Sequence, residues 1–184
     1  MIAHVPEYKE TMDIENRGNE MFLELVIDRL QEYRFIPVLD NTESGRFIQK
    51  RGIDFFMLHP DCNTGLLGLE AKCEQWNRFG NLFIEHLQNI FPTSQGWLHT
   101  SSAHFLCYGF LEPEPVIYVL DMWELRVFLT ESPMFLVYEC KFQKKRDLPS
   151  KSAGFCVPIQ DCRDCLRHFH EIKKKHRLML FKRL

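Results

Sequence analysis

No apolar run in this chain approaches the roughly 18 residues that a membrane-spanning helix needs, so neither a span nor a membrane partner is expected. The first residues, Met1 to Asn19, lack the apolar core of a secretory signal and are polar and mixed in charge. An intracellular, cytoplasmic protein follows, or one of the host-cell cytoplasm if a phage encodes it. Net charge is also scarce: at −2 it does not advertise a binder of polyanions. Cysteine is present, but the count of seven is odd and scattered through apparent strands and loops, which suits reduced thiols rather than a disulfide framework. What the chain does have is core material. With 45% hydrophobic residues and 16 Phe in 184 positions, a single domain spanning 1–184 can bury a sizeable interior.

Two apolar runs flank a polar turn at His59 to Gly65: Gly52-Ile53-Asp54-Phe55-Phe56 before it and Leu66-Leu67-Gly68-Leu69-Glu70-Ala71-Lys72 after it. They read as antiparallel strands and their loop. Strand side chains alternate between faces, so Glu70 and Lys72 point one way while Leu69 and Ala71 point the other. If Asp54 projects on the first of these faces, two hard oxygen ligands and one cation converge in a fashion suited to Mg²⁺ or Mn²⁺. Buried sheets rarely hold unpaired charge without a functional reason, which sets this reading above a routine surface hairpin.

An acid on one strand and Glu-x-Lys on the next resembles the PD-(D/E)XK, or restriction-endonuclease-like, nuclease superfamily in its small phage and bacterial form. Asp54, Glu70 and Lys72 are the matching positions, and Ile53 stands where some members have proline. The resemblance, spread over residues 15 to 130, implies an α/β fold with a mixed central sheet flanked by helices in the order αβββαβ. It further implies hydrolysis of phosphodiester bonds by a water activated with Mg²⁺ or Mn²⁺. Asp54, Glu70 and the backbone carbonyl of Ala71 would hold the metal, and Lys72 would orient the water and contact the scissile phosphate. A helical carboxylate, Glu20 ahead of Glu24, would complete the set. The implied partner is nucleic acid, DNA ahead of RNA, cut by a homodimer whose two sites serve two strands. The alternative is a catalytically inactive protein of the same fold that binds nucleic acid or a protein partner.

Around this motif the chain reads in order. Asn16 or Asn19 caps a helix to about Tyr33 with Leu23, Val26, Ile27 and Leu30 on its buried side, and Arg34 to Asp40 forms a short strand. Leu82 to Glu85 reads as a third core strand, with Glu85 at the edge of the site and Gln75 a weaker contact. Gln95 to Ala103 reads as a loop whose Thr100, Ser101 and Ser102 offer hydroxyls to phosphate, with Trp97 packing rather than stacking. Strands at His104 to Phe110 and Val116 to Leu120 precede a helix capped by Asp121, with Leu125, Phe128 and Leu129 facing inward. Further strands at Phe135 to Phe142 and Phe155 to Ile159 lead to a basic terminal helix and tail.

Residues 160–184 hold eight Lys or Arg against three acids, while the rest of the chain holds 15 against 22. Lys173, Lys174, Lys175, Arg177, Lys182 and Arg183 are therefore the expected phosphate contacts, set against the plainer reading of a solvated helix end. Cys156, Cys162, Cys165, His168 and His170 have spacings that permit a zinc site, yet three-residue intervals on one helix converge poorly, and no metal is expected there. His59 and His86, near the site strands, read as solvated rather than catalytic.

Overall fold

Alternation along one ten-residue strand, Leu67–Trp76, decides the architecture, because each of its faces is covered by different material. The computed structural model describes residues 8–27, 33–39, 41–58, 65–89, 93–131, 137–143 and 149–173. In chain order the elements are α1 (Tyr8–Phe22), a π-helical turn (Leu23–Ile27), β1 (Arg34–Pro37), α2 (Glu43–Gln49), β2 (Phe55–Leu58), β3 (Leu67–Trp76), β4 (Asn81–Asn89) and β5 (Ser94–Gln95). They continue as α3 (Trp97–Thr100), β6 (Phe105–Glu112), β7 (Val116–Asp121), α4 (Met122–Glu131), β8 (Val137–Gln143), β9 (Pro149–Pro158), α5 (Ile159–Cys165) and β10 (Phe169–Lys173). Among the described residues the strands make a six-stranded sheet, β1-β2-β3-β6-β7-β10, and a four-stranded sheet, β5-β4-β9-β8. Every pairing in the larger sheet is antiparallel except β3 with β6, so that sheet is mixed and the class is α/β.

The odd-numbered face of β3, with Leu69, Ala71 and Cys73, joins Phe105 and Cys107 of β6 in a core closed by Met21, Phe22 and Leu25 of α1 and the turn after it. Gly18 lets α1 approach this closely, since a Cβ there would lie 2.4 Å from the Cys73 Cβ. That contact outweighs the roughly 1 kcal/mol a mid-helix glycine costs. On the even-numbered face, Leu106, Tyr108 and Phe110 meet Leu82 and Ile84 of β4 together with Met122 and Leu125 of α4. Glu70, Lys72 and Glu74 pair with Leu106, Tyr108 and Phe110, so three ionisable residues share the face that packs on the second sheet.

Several sequence-based expectations change. The first helix starts at Tyr8, so Asn16 and Asn19 are interior to it rather than caps. The π-helical turn rotates its end, leaving Leu23 exposed while Leu25 and Val26 are buried. Leu82 to Glu85 does form a strand, but in the second sheet: β3 already has β2 and β6 on its two edges, so β4 folds over the face and pairs with β9. At the carboxy-terminal side α5 ends at Cys165, and residues 169–173, expected in a helix, form β10 against β7. The helix after Asp121 is as expected, its first turn capped by the Asp121 carboxylate, which accepts from the Glu124 N–H at 2.9 Å. Among the described residues no helix is long and apolar enough to cross a membrane.

Candidate active site

The β2–β3 ladder ends at the pair Phe55 and Leu69, and Asp54 lies one residue beyond it. Its N–H still donates to the Leu69 carbonyl at 2.9 Å, and its carboxylate accepts from the Ala71 N–H at 2.8 Å. Asp54 thus takes the place of the next ladder partner. Because N–H and C=O of one strand residue point to the same side, the Ala71 carbonyl is directed to the side of β3 where Asp54 sits. Across the strand, Lys72 Nζ lies 2.8 Å from Glu70 Oε1, with the Glu70 side chain 1% exposed and that of Lys72 38%. The Glu70 side chain is enclosed, and that of Lys72 is partly exposed.

Burial pushes the Glu70 carboxyl up and the Asp54 charge adds to this, while Lys72 works against it. For Lys72, burial would lower the pKa, but Glu70, Asp54 and Glu15 outweigh it and hold the ammonium above its usual range. Glu70 Oε2 is buried without a hydrogen-bond partner, because the nearby Ser101 hydroxyl donates instead to the Gly52 carbonyl at 3.1 Å. An orphaned buried carboxylate oxygen normally costs about 1–3 kcal/mol or more, and a cation would satisfy it. Two carboxylates and a backbone carbonyl are a hard-oxygen set that fits Mg²⁺ or Mn²⁺. Among the described residues no group of three His, Cys, Asp or Glu converges as a metal cluster.

Gly52 and Arg126 hold this arrangement from behind. Gly52 has φ +65°, and a Cβ there would come within 2.5 Å of Glu70 Oε2. The Arg126 guanidinium, on α4, donates to the carbonyls of Leu98 at 2.8 Å and Ser101 at 2.6 Å. Burial lowers its pKa while the Glu70 charge works the other way. It therefore fixes the segment that carries Ser101 against Glu70. Arg126→Met should leave both carbonyls without a donor and cost about 2–4 kcal/mol, read as a lower urea midpoint. Stability within about 0.5 kcal/mol of wild type would remove Arg126 from this role.

The remaining expected site residues fall into distinct places. Glu20 and Glu24 border a recess with Arg17, Leu111 and Pro115, near the β6–β7 turn, whereas Glu70 pairs with Leu106, five residues earlier on β6. The helical carboxylate that acts on Lys72 is Glu15, one turn nearer the start of α1. Glu85 is in electrostatic contact with both Lys72 and Glu70, and burial raises its pKa against the Trp97 N–H and Lys72. Ser101 is buried with its hydroxyl turned inward, so it supports Glu70 instead of offering itself to phosphate. Thr100 and Ser102 are exposed; the Thr100 hydroxyl donates to the Gly96 carbonyl at 3.2 Å and the Ser102 N–H to the Arg51 carbonyl at 2.7 Å. Trp97 packs on the core. Gln75 is on the Cys73 face, away from Glu70.

His86 Nδ1 lies 2.7 Å from His99 Nε2, and its ring packs on Phe155. Cys162 is buried and Cys165 exposed, so the two diverge, while His168 is bound to Glu124 through both its N–H and its Nδ1. His59, Lys174, Lys175, Arg177, Lys182 and Arg183 lie outside the described residues, and Lys173 is described only as backbone of β10.

Glu74 continues the Glu70 and Lys72 alternation and was legible on that ground, although it was not among the expected residues. It accepts from the Tyr108 hydroxyl, which in turn accepts from the Phe83 N–H at 3.2 Å and so ties the two sheets together. Burial raises the Glu74 pKa against that hydrogen bond. A carboxyl raised above its ordinary value of 4.5 binds a proton in the fold that the unfolded chain has released. Its contribution is therefore complete below 4.5 and is lost as pH climbs through the folded-state pKa. Glu74→Gln keeps the acceptor and removes the titration. Its stability relative to wild type should rise steadily as pH is taken upward from 4.5, read from urea midpoints without added metal; a difference independent of pH would contradict this.

No protein-family model, no curated protein and no solved structure matches the chain.

Proposed function

We propose that the chain is a metal-dependent endonuclease of the PD-(D/E)XK type that hydrolyses phosphodiester bonds in nucleic acid, DNA ahead of RNA, with Mg²⁺ or Mn²⁺. The observation that carries this reading is the grouping of the Asp54 carboxylate, Glu70 and Lys72 around the Ala71 peptide where the β2–β3 ladder ends. The order α1, β1, β2, β3, α3, β6, with β6 parallel to β3, supports a restriction-endonuclease-like core into which α2 and the β4–β5 pair are inserted. When bound, the ion supplies charge neutralisation at the phosphate and a water acidic enough to ionise near neutral pH.

The rest is the work of this chain's own residues. Asp54 and Glu70, with the Ala71 carbonyl, hold the ion. Lys72, kept protonated by Glu70, Asp54 and Glu15, presents a fixed positive charge to the non-bridging phosphate oxygens and orients the attacking water. Glu85 and Glu15 are both in electrostatic contact with the ammonium.

One observation favours the second reading, a catalytically idle nuclease fold that binds nucleic acid or protein. Glu70 is 1% exposed and already paired with Lys72, as in a structural ion pair. A panel of linear, nicked, flapped and four-way DNA and a single-stranded RNA, incubated with Mg²⁺ or Mn²⁺, separates the two. Cleavage that disappears in Asp54→Asn purified identically supports the enzyme. A wild type that cuts none of them, and takes up neither ion by calorimetry, overturns it.

A further inference from the structure

Helix α2 sits beside the candidate site without contributing to its chemistry. Its start is fixed by the Thr42 hydroxyl, which accepts from the Gly45 N–H at 2.9 Å. Its end is fastened on both sides of the acidic pair: the Gln49 side chain donates to the Val38 carbonyl at 2.9 Å, the Val38 N–H donates to the Asp54 carbonyl at 2.9 Å, and the Ser102 N–H donates to the Arg51 carbonyl at 2.7 Å. Gly52, the residue after Arg51, is the one against Glu70 Oε2. The helix and the turn after it are thus positioned by the same backbone that positions Asp54 and Glu70.

What this segment shows to solvent is basic and aromatic. Arg46, Lys50 and Arg51 are all exposed, and among the described residues none of them is in an ion pair. Phe47 is 59% exposed, with the Arg51 guanidinium 4.9 Å from its ring centre. An exposed aromatic ring beside three such cations has no part in either core. Positive side chains that track a phosphate backbone, interleaved with a ring on which a base can stack, are the combination that binds unpaired nucleotides. The single acid of this helix, Glu43, is in its first turn, at the end away from Gly52.

We propose that α2 and Arg51 form the site's substrate-holding surface, with Arg46, Lys50 and Arg51 on the sugar–phosphate backbone and Phe47 stacked on an unpaired base beside the cut. The position beside the cut rests on the nuclease reading. The substrate class is nucleic acid with unpaired nucleotides at the site, as in a single strand, a flap or a branch. A blunt duplex offers the phosphates but no free base face.

The test is fluorescence anisotropy with a labelled single strand and a labelled blunt duplex of the same sequence, in EDTA, over a series of salt concentrations. The proteins are wild type, Phe47→Ala, the triple variant Arg46→Gln/Lys50→Gln/Arg51→Gln, and Lys50→Glu, which perturbs a single exposed position if the triple variant folds poorly. The triple variant should bind both probes about tenfold or more weakly and lower the salt slope by about 2–3, one unit for each phosphate no longer neutralised. Lys50→Glu should weaken both probes in the same direction. Phe47→Ala should weaken the single strand by about 5- to 100-fold, the range for removing one stacked base, and leave the duplex unchanged. Unchanged affinity and slope in both charge variants, or a wild type that binds neither probe, overturns the surface. Equal losses on the two probes in Phe47→Ala overturn the stacking. Cleavage separates the two proposals: a wild type that binds through α2 but cuts nothing ends the nuclease reading alone, and one that cuts normally when α2 is neutralised ends the α2 proposal alone.

Discussion

Lys72→Ala should cut nucleic acid at least about 100-fold more slowly than wild type while still binding Mg²⁺ or Mn²⁺, whereas Asp54→Ala and Glu70→Ala should lose the ion and with it all cleavage. The division follows from position. Asp54 and Glu70 present oxygen around the Ala71 peptide, while the Lys72 ammonium is the partly exposed member of its pair. The stability effects should be unequal as well. Removing Lys72 strands a carboxylate that is 1% exposed, which costs up to about 3–5 kcal/mol unless Glu70 takes up a proton. The Lys72 side chain is 38% exposed against 1% for Glu70 and has more room to adjust, so Glu70→Ala should be the milder of the two. Turnover at saturating substrate, calorimetry with each ion and urea midpoints read the three quantities separately. Near-normal turnover in Lys72→Ala would remove it from the chemistry, and tight ion binding in Asp54→Ala would remove the metal assignment.

Gly52→Ala should damage the candidate site directly, because the added methyl would be aimed at the Glu70 carboxylate. Its φ of +65° costs a non-glycine residue about 1–2 kcal/mol. The new Cβ would also fall within 2.5 Å of Glu70 Oε2 and 2.7 Å of Ser101 Oγ, where overpacking adds about 1–3 kcal/mol. A loss of about 2–5 kcal/mol is therefore expected, together with weakened ion binding as Glu70 is displaced. Gly80 supplies the control, because it has φ +66° with nothing within 4 Å of its missing Cβ, so Gly80→Ala should carry only the conformational part. Equal losses in the two variants would show that Gly52 is required for its backbone angle and not as a cradle for the carboxylate.

The site was legible in the sequence wherever it depended on local geometry. The period of two that puts Glu70 and Lys72 on one face is a property of any strand, and the same alternation extends to Glu74. The Asp121 cap was equally local. What escaped depends on interactions between distant segments. Arg126 and Ser101 take their roles from a carboxylate at least 31 residues away in sequence, and no pattern within α4 marks the arginine. Glu15 was missed because the first helix was begun at Asn16 or Asn19, though the chain is helical from Tyr8. Leu82 to Glu85 was legible as a strand but not its sheet, since the run looks the same whichever sheet receives it and the outcome turns on β6 occupying the edge of β3. The clustering of Arg46, Lys50 and Arg51 was present in the sequence, but the larger basic count in residues 160–184 overshadowed it.

The parallel pairing of β3 with β6 has a bearing on how this protein comes to exist as a folded molecule. The hydrogen bond from the Gly68 N–H to His104 at the start of that pairing closes 36 residues of chain, and the Ser101 to Gly52 hydrogen bond behind Glu70 closes 49. Closures of this length cost chain entropy before the interactions that offset it are made, and parallel pairings are correspondingly slow. The β2–β3 ladder can form early, carrying Asp54 and Glu70 with it, but Ser101 and Arg126 reach Glu70 only once the crossover through β4, β5 and α3 has closed. On a half-folded chain, then, Glu70 is an ordinary hydrated acid beside an ordinary lysine. Its raised pKa is acquired last, because the groups that enclose it are the last to arrive.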